Sequence, residues 1–213
     1  LIPTLQYDDS LWSDKIIVVD VTSSMMPYMN QILLYLALKS SEQQTDAFLF
    51  FNDGDGAADW KKSIGNTGGL HPARSSDLAS VQRSLLSAHL MGSGGDLAEN
   101  DLEALLYAQK YCLRDTTTEI VLLADALSPV RDMSLLHKLN KPVRIVLCGA
   151  ISADTRSVNL QLDYLMLAAQ TRGSIVTLEG ELRDLHLSAE GDTIRIGSQE
   201  YIFRSGAFQP LLK

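Results

Sequence analysis

Two short runs in this chain end in carboxylates, and hydroxyl side chains stand beside the first of them. Asp20, Thr22 and Ser24 alternate along Asp-Val-Thr-Ser-Ser, at the close of the apolar run KIIVVDV at 15–21. Asp125 follows a second apolar run, EIVLLA at 119–124. If those runs are neighbouring parallel strands, the two carboxylates end about 4.8 Å apart. Carboxylates that close need a proton or a cation between them. Thr22 and Ser24 add neutral oxygens from one loop, spaced so that both can turn toward one point. An all-oxygen set with no His or Cys suits Mg²⁺, Mn²⁺ or Ca²⁺ and is wrong for zinc. The residues therefore predict a single site for one hard divalent cation.

Such a site needs elements that bring strand ends together. Strand-like runs fall at 15–21, 46–51, 119–124, 143–148 and 174–178, with helical spacing at 25–39, 78–91, 97–113, 131–139 and 160–170. This alternation predicts an α/β fold, a doubly wound and mostly parallel sheet with helices on both faces. Ligands of such sheets bind beyond the carboxyl ends of the strands, where the winding reverses. The Asn-Asp-Gly-Asp-Gly run at 52–56 reads as a turn, with 60–64 returning as a short edge strand and 65–75 as loop. Residues 1–14 form a lead-in, 15–180 the domain, and 181–213 an extension. Within the extension, 192–204 alternates as a β-hairpin packed on the domain, where Tyr201 and Phe203 would serve as anchors.

Charge and composition narrow the function. With 26 Asp and Glu against 18 Lys and Arg, the net charge is −8, and no basic block offers a nucleic-acid or anionic-membrane surface. No apolar run approaches the roughly 18–20 residues that span a bilayer. Cys112 and Cys148 make at most one bridge, and Cys148, closing a buried strand, reads as a core thiol. His71, His89, His137 and His186 are dispersed. The start at Leu1 rather than Met reads as a trimmed chain, which tilts the expected location toward extracytoplasmic.

Three runs together resemble a known family. IIVVDVTSSM is similar to the D-x-[ST]-x-S element that opens the metal-ion-dependent adhesion site of von Willebrand factor A (vWA) domains. GSGGDLAENDLEALLYA resembles that family's second loop and the helix after it, in the variant with Asp where many members have Thr. VLLADALSP resembles its third element, a strand ending in Asp. The resemblance spans about residues 15–180. It implies that Thr22 and Ser24 give hydroxyl oxygens to a cation, Mg²⁺ first. Asp20 and Asp125 would sit in or just behind that shell, and Asp96 would take the second-loop position. It also implies a protein partner that supplies a carboxylate to the cation, and no catalysis. Ala126 stands where Gly is usual. Asp96 adds a charge that Thr would not, so three carboxylates around one divalent cation would leave an excess negative charge that repels a partner's acid.

Other readings compete. Asp96-Leu-Ala-Glu99 also fits a helix capping box, with Asp96 as N-cap. A Mg²⁺ phosphatase of the haloacid-dehalogenase type would use Asp20 as nucleophile, but it wants a second Asp where Thr22 stands, and a positioned Lys. A structural domain whose metal site has decayed is the remaining alternative. The P-loop, the dinucleotide fingerprint and the G-x-S-x-G elbow are all absent from the sequence.

Overall fold

The β-branched run KIIVVD becomes β1 (Lys15–Asp20), buried along its whole length because it lies at the centre of the sheet. We describe it from a computed structural model covering residues 15–40, 45–74, 78–92, 95–112, 119–155 and 157–211; the expected lead-in at 1–14 lies outside the described residues. Around β1 stand β2 (Thr45–Phe51), β3 (Leu70–Arg74), β4 (Glu119–Asp125), β5 (Val143–Cys148), β6 (Ser174–Thr177) and β7 (Gly180–Leu182). They form one seven-stranded sheet in the order β3-β2-β1-β4-β5-β6-β7, with β3 and β7 antiparallel at its two edges. The chain leaves β1 for β2 on one side and later returns to β4 on the other. The winding therefore reverses between β1 and β4, as the sequence predicts for the two carboxylates.

Alternation along the strands divides the core into two layers. Ile17, Val19, Phe48, Phe50, Val121 and Leu123 face α1 (Met29–Ser40) and α2 (Leu78–Met91), meeting Met29, Ile32, Val81 and Leu85. Ile16, Val18, Leu49, Phe51, Ile120 and Leu122 face α3 (Asp101–Tyr111) and α4 (Leu162–Thr171), meeting Leu102, Leu105, Leu165 and Leu167. Each strand residue in these layers thus packs a helix on its own side.

The C-terminal extension is a three-stranded antiparallel sheet rather than a lone hairpin. Its strands are β8 (Thr193–Ile196), β9 (Gln199–Arg204) and β10 (Ala207–Pro210). Ile196, Tyr201 and Phe208 join the α3–α4 layer, and Phe203 meets Phe208 edge-on at 5.1 Å. The large sheet itself runs on through β7, just past the expected boundary at 180.

Several local expectations need correction. Residues 59–61 form a 3-10 turn, and the strand returning beside β2 is β3, within the stretch expected to be loop. The first helix opens as a 3-10 segment (Ser23–Tyr28) before α1, and the element expected at 131–139 is a 3-10 segment, Met133–Lys138. The helix expected from 97 begins at Asp101, so the capping box is not formed. Instead Glu99 makes a parallel bridge with Val130, and Asn100 precedes the helix.

Candidate metal centre

The register sets the site. Val19 stands opposite Leu123, so Asp20 and Asp125, the last residues of β1 and β4, reach the C-terminal edge of the sheet together. The chain then turns sharply at both ends, and each carboxylate holds its own turn. Asp20 Oδ1 accepts the Thr22 backbone N–H at 2.7 Å. Asp125 Oδ1 accepts the N–H groups of Leu127 and Ser128 at 2.6 and 2.9 Å. A hydroxyl relay links the two turns. Ser24 Oγ donates to Asp125 Oδ2 at 2.7 Å and lies 3.0 Å from Thr22 Oγ1. Four of the five residues expected at the site are therefore joined in one hydrogen-bonded group.

That group has one unsatisfied member. Asp20 is fully buried, and its Oδ2 has no hydrogen-bond partner among the described residues. Burial pushes its carboxyl up to about 7, against the Thr22 hydrogen bonds that pull it down, and the nearby charges of Asp125 and Asp53 push in the same direction as burial. A carboxyl held this way takes either a proton or a cation.

Asp96 is placed elsewhere. Its Oδ1 accepts from Arg131 at 2.5 Å and from Lys62 at 3.2 Å. Both cations also hold Asp53, a buried residue on the loop after β2, with Lys62 at 2.6 Å and Arg131 bidentate at 2.5 and 2.9 Å. Arg131 further donates to the Ala98 carbonyl. Burial pushes the Asp96 carboxyl up, but the Lys62 hydrogen bond and the Arg131 and Lys62 charges together hold it below its ordinary value. The loops after β2 and β4 and the loop before α3 are thus tied by two cations shared between two acids. Gly69 completes that tie at φ +71, because a Cβ there would fall 2.1 Å from Asn52 Oδ1.

The buried acid on the loop before α3 is Glu99, which feels the charges of Asp20 and Asp125. Its Oε2 has no partner among the described residues, and its carboxyl is pushed up to about 10 by burial and then by Asp20, Asp101, Asp53 and Asp125. Asp101 behind it is fully buried with neither carboxylate oxygen partnered among the described residues, and burial and the Asp20 charge drive it well above its ordinary value. The Tyr164 hydroxyl from α4 is likewise buried without a partner beside these acids. Asp132 differs: it accepts the Leu102 and Glu103 N–H groups at 3.1 and 2.7 Å and so caps α3 from outside. Sequence reasoning missed Glu99 and Asp101. The available signal was three acids in Glu-Asn-Asp-Leu-Glu at the entrance to an apolar helix, more than a solvated first turn needs.

Among the described residues, no three His, Cys, Asp or Glu side chains are grouped as a ready set of metal ligands. The donors that converge are two carboxylates and two hydroxyls. No family model matches the chain, and no curated protein matches it. The likeness to vWA domains therefore rests on the three runs alone.

Proposed function

We propose that the chain is a protein-binding module of the vWA type that works through one divalent cation, Mg²⁺ first, with Mn²⁺ or Ca²⁺ as substitutes. The observation that carries this reading is Asp20, a fully buried carboxylate at the winding reversal whose Oδ2 has no partner among the described residues, beside the Thr22–Ser24–Asp125 relay. Thr22 and Ser24 would hold the ion through their hydroxyls, and Asp20 and Asp125 would hold it directly or through water. When bound, the ion offers a Lewis-acidic position to an oxygen ligand. The protein's own residues orient that position and keep it at the surface end of the sheet.

The placement of Asp96 changes the partner expectation. Its charge is taken up by Lys62 and Arg131, so it does not add to the charge at the Asp20–Asp125 pair. The excess negative charge expected from the sequence is removed, and an acidic side chain of a partner meets a neutral centre of two carboxylates and one divalent ion.

Thermal melting with EDTA, Mg²⁺, Mn²⁺ and Ca²⁺ tests the reading. A ligand that binds only the native state raises the melting temperature, worth about 2.7 kcal/mol at a hundredfold excess over Kd. Coincident melts with chelator and with every cation would leave a structural domain instead. Turnover of a generic phosphate ester, lost in Asp20→Asn, would replace the binding module with a phosphatase.

A further inference from the structure

Beside the cation site, the ends of β5 and β6 enclose a cavity of about 350 Å³. Its described walls include Tyr28, Cys148, Gly149, Ile151, Asn159 and Leu178. Every described lining residue is uncharged, in a chain with 26 acidic and 18 basic side chains. The cavity shares structure with the site at two points. Cys148 is the register partner of Asp125, and its carbonyl accepts the Ala126 N–H at 2.9 Å. Tyr28 ends the same 3-10 segment that carries Ser24. Gly149, at φ +74, lets these walls approach, since a Cβ there would lie 2.8 Å from the Tyr28 hydroxyl oxygen. Burial, then the neighbouring Cys148 and Asp125, raise the Tyr28 hydroxyl above its ordinary value. Burial also lifts the Cys148 thiol to about 12, so it lines the cavity as an inert wall.

Ligands of doubly wound sheets sit beyond the strand ends, in pockets that are mostly apolar with a few polar groups to fix orientation. Here Val146, Ile151, Val176 and Leu178 give the apolar lining, and Tyr28, Asn159 and Thr177 the polar groups. The volume suits one large side chain rather than a segment of chain. An anionic group belongs on the cation, and nothing charged is matched in the cavity. We infer that this cavity is the specificity pocket of the cation site, taking a bulky apolar side chain that directly follows the metal-bound acidic residue of a partner protein. This inference rests on the cation reading above.

The test uses the whole chain in Mg²⁺, titrated calorimetrically with two acetylated and amidated tetrapeptides, Gly-Asp-Phe-Gly and Gly-Asp-Gly-Gly. Burying the phenylalanine ring should tighten binding by about 10-fold or more. Ala153→Trp, which adds bulk at an exposed wall position, should abolish that preference while leaving the Mg²⁺-induced rise in melting temperature intact. Leu178→Asp, at a wall residue that is half exposed, should do the same by charge. Equal affinities for the two peptides, a preference that survives both variants, or no binding of either peptide despite an intact Mg²⁺ rise would overturn the pocket alone. Absence of the Mg²⁺ rise would overturn the pocket and the cation reading together.

Discussion

Two groups of acids share the C-terminal edge of this sheet, and they are treated in opposite ways. Buried Asp53 and exposed Asp96 each meet both Lys62 and Arg131 at hydrogen-bonding distance. Around Asp20, Glu99 and Asp101, four carboxylate oxygens are buried with no partner among the described residues, and all three groups are pushed toward their protonated forms. The first group is a clamp, and its charges are neutralised within the chain. In the second, no described cationic side chain pairs with the acids, and burial favours their protonated forms. The proposed cation site is the reading of that difference, and the variants below test it.

The clamp should give the largest effect when broken. Arg131→Met leaves buried Asp53 with Lys62 alone and removes the side-chain tie from the loop after β4 to Asp53 and Asp96. It should destabilise the chain by about 3 kcal/mol, within the range for breaking a buried ion pair, read as a shift in the urea midpoint. A change no larger than that of an exposed Arg would mean that the loops are held by other contacts.

Asp20→Asn should act in the reverse sense. Without metal, its melting temperature should equal or exceed that of the parent, because an uncompensated buried charge is gone. In Mg²⁺ it should lose the stabilisation expected of the parent, about 2.7 kcal/mol at a hundredfold excess over Kd. Ser24→Ala should weaken the same response without abolishing it. A metal-free Asp20→Asn chain much less stable than the parent would show that Asp20 works as a structural carboxylate.

Proton linkage separates the two groups again. Asp20 has its folded value raised to about 7, so the native state holds that proton more tightly than the unfolded chain. The resulting stabilisation is fully present below about pH 4 and is lost as pH rises through 7. Glu99, raised to about 10, extends the loss to higher pH. Metal-free protein should therefore be less stable at pH 8 than at pH 5, by on the order of 2 kcal/mol from Asp20 alone, with Glu99 adding in the same direction. The Mg²⁺-induced rise should be larger at pH 8, where the cation no longer competes with the Asp20 proton. Equal metal-free stability at the two pH values would contradict the burial of charge at this site.

The smallest effect belongs to Asp96→Asn. Its side chain is 39% exposed and its partners keep Asp53, so the cost should stay below about 1 kcal/mol. Mg²⁺ affinity measured by titration should hardly change. A marked loss of affinity would return Asp96 to the cation site.

These contrasts also mark what was legible in the sequence. The strands β1, β4 and β5 could be read because central parallel strands are buried on both faces and show as unbroken apolar runs. Asp20 and Asp125 followed as the first polar residues at their ends. The edge strand β3 was illegible because it is Leu-His-Pro-Ala-Arg; Pro72 argues against a strand and is tolerated only at a sheet edge. Asp96 and Glu99 could not be told apart by pattern, since each precedes the same helix. What separates them is Arg131, distant in sequence, which takes Asp96 away, and the Glu99–Val130 bridge, which turns Glu99 inward. The pairing of acids with cations is tertiary, and no local spacing encodes it.

The most direct measurement is a diffraction map of the chain crystallised with Mn²⁺, collected to reveal the metal's anomalous signal. One peak within coordinating distance of the Thr22 and Ser24 hydroxyl oxygens, facing Asp20 and Asp125, is the result expected. No peak there at saturating Mn²⁺, or a peak only at Asp96, would contradict the proposed site.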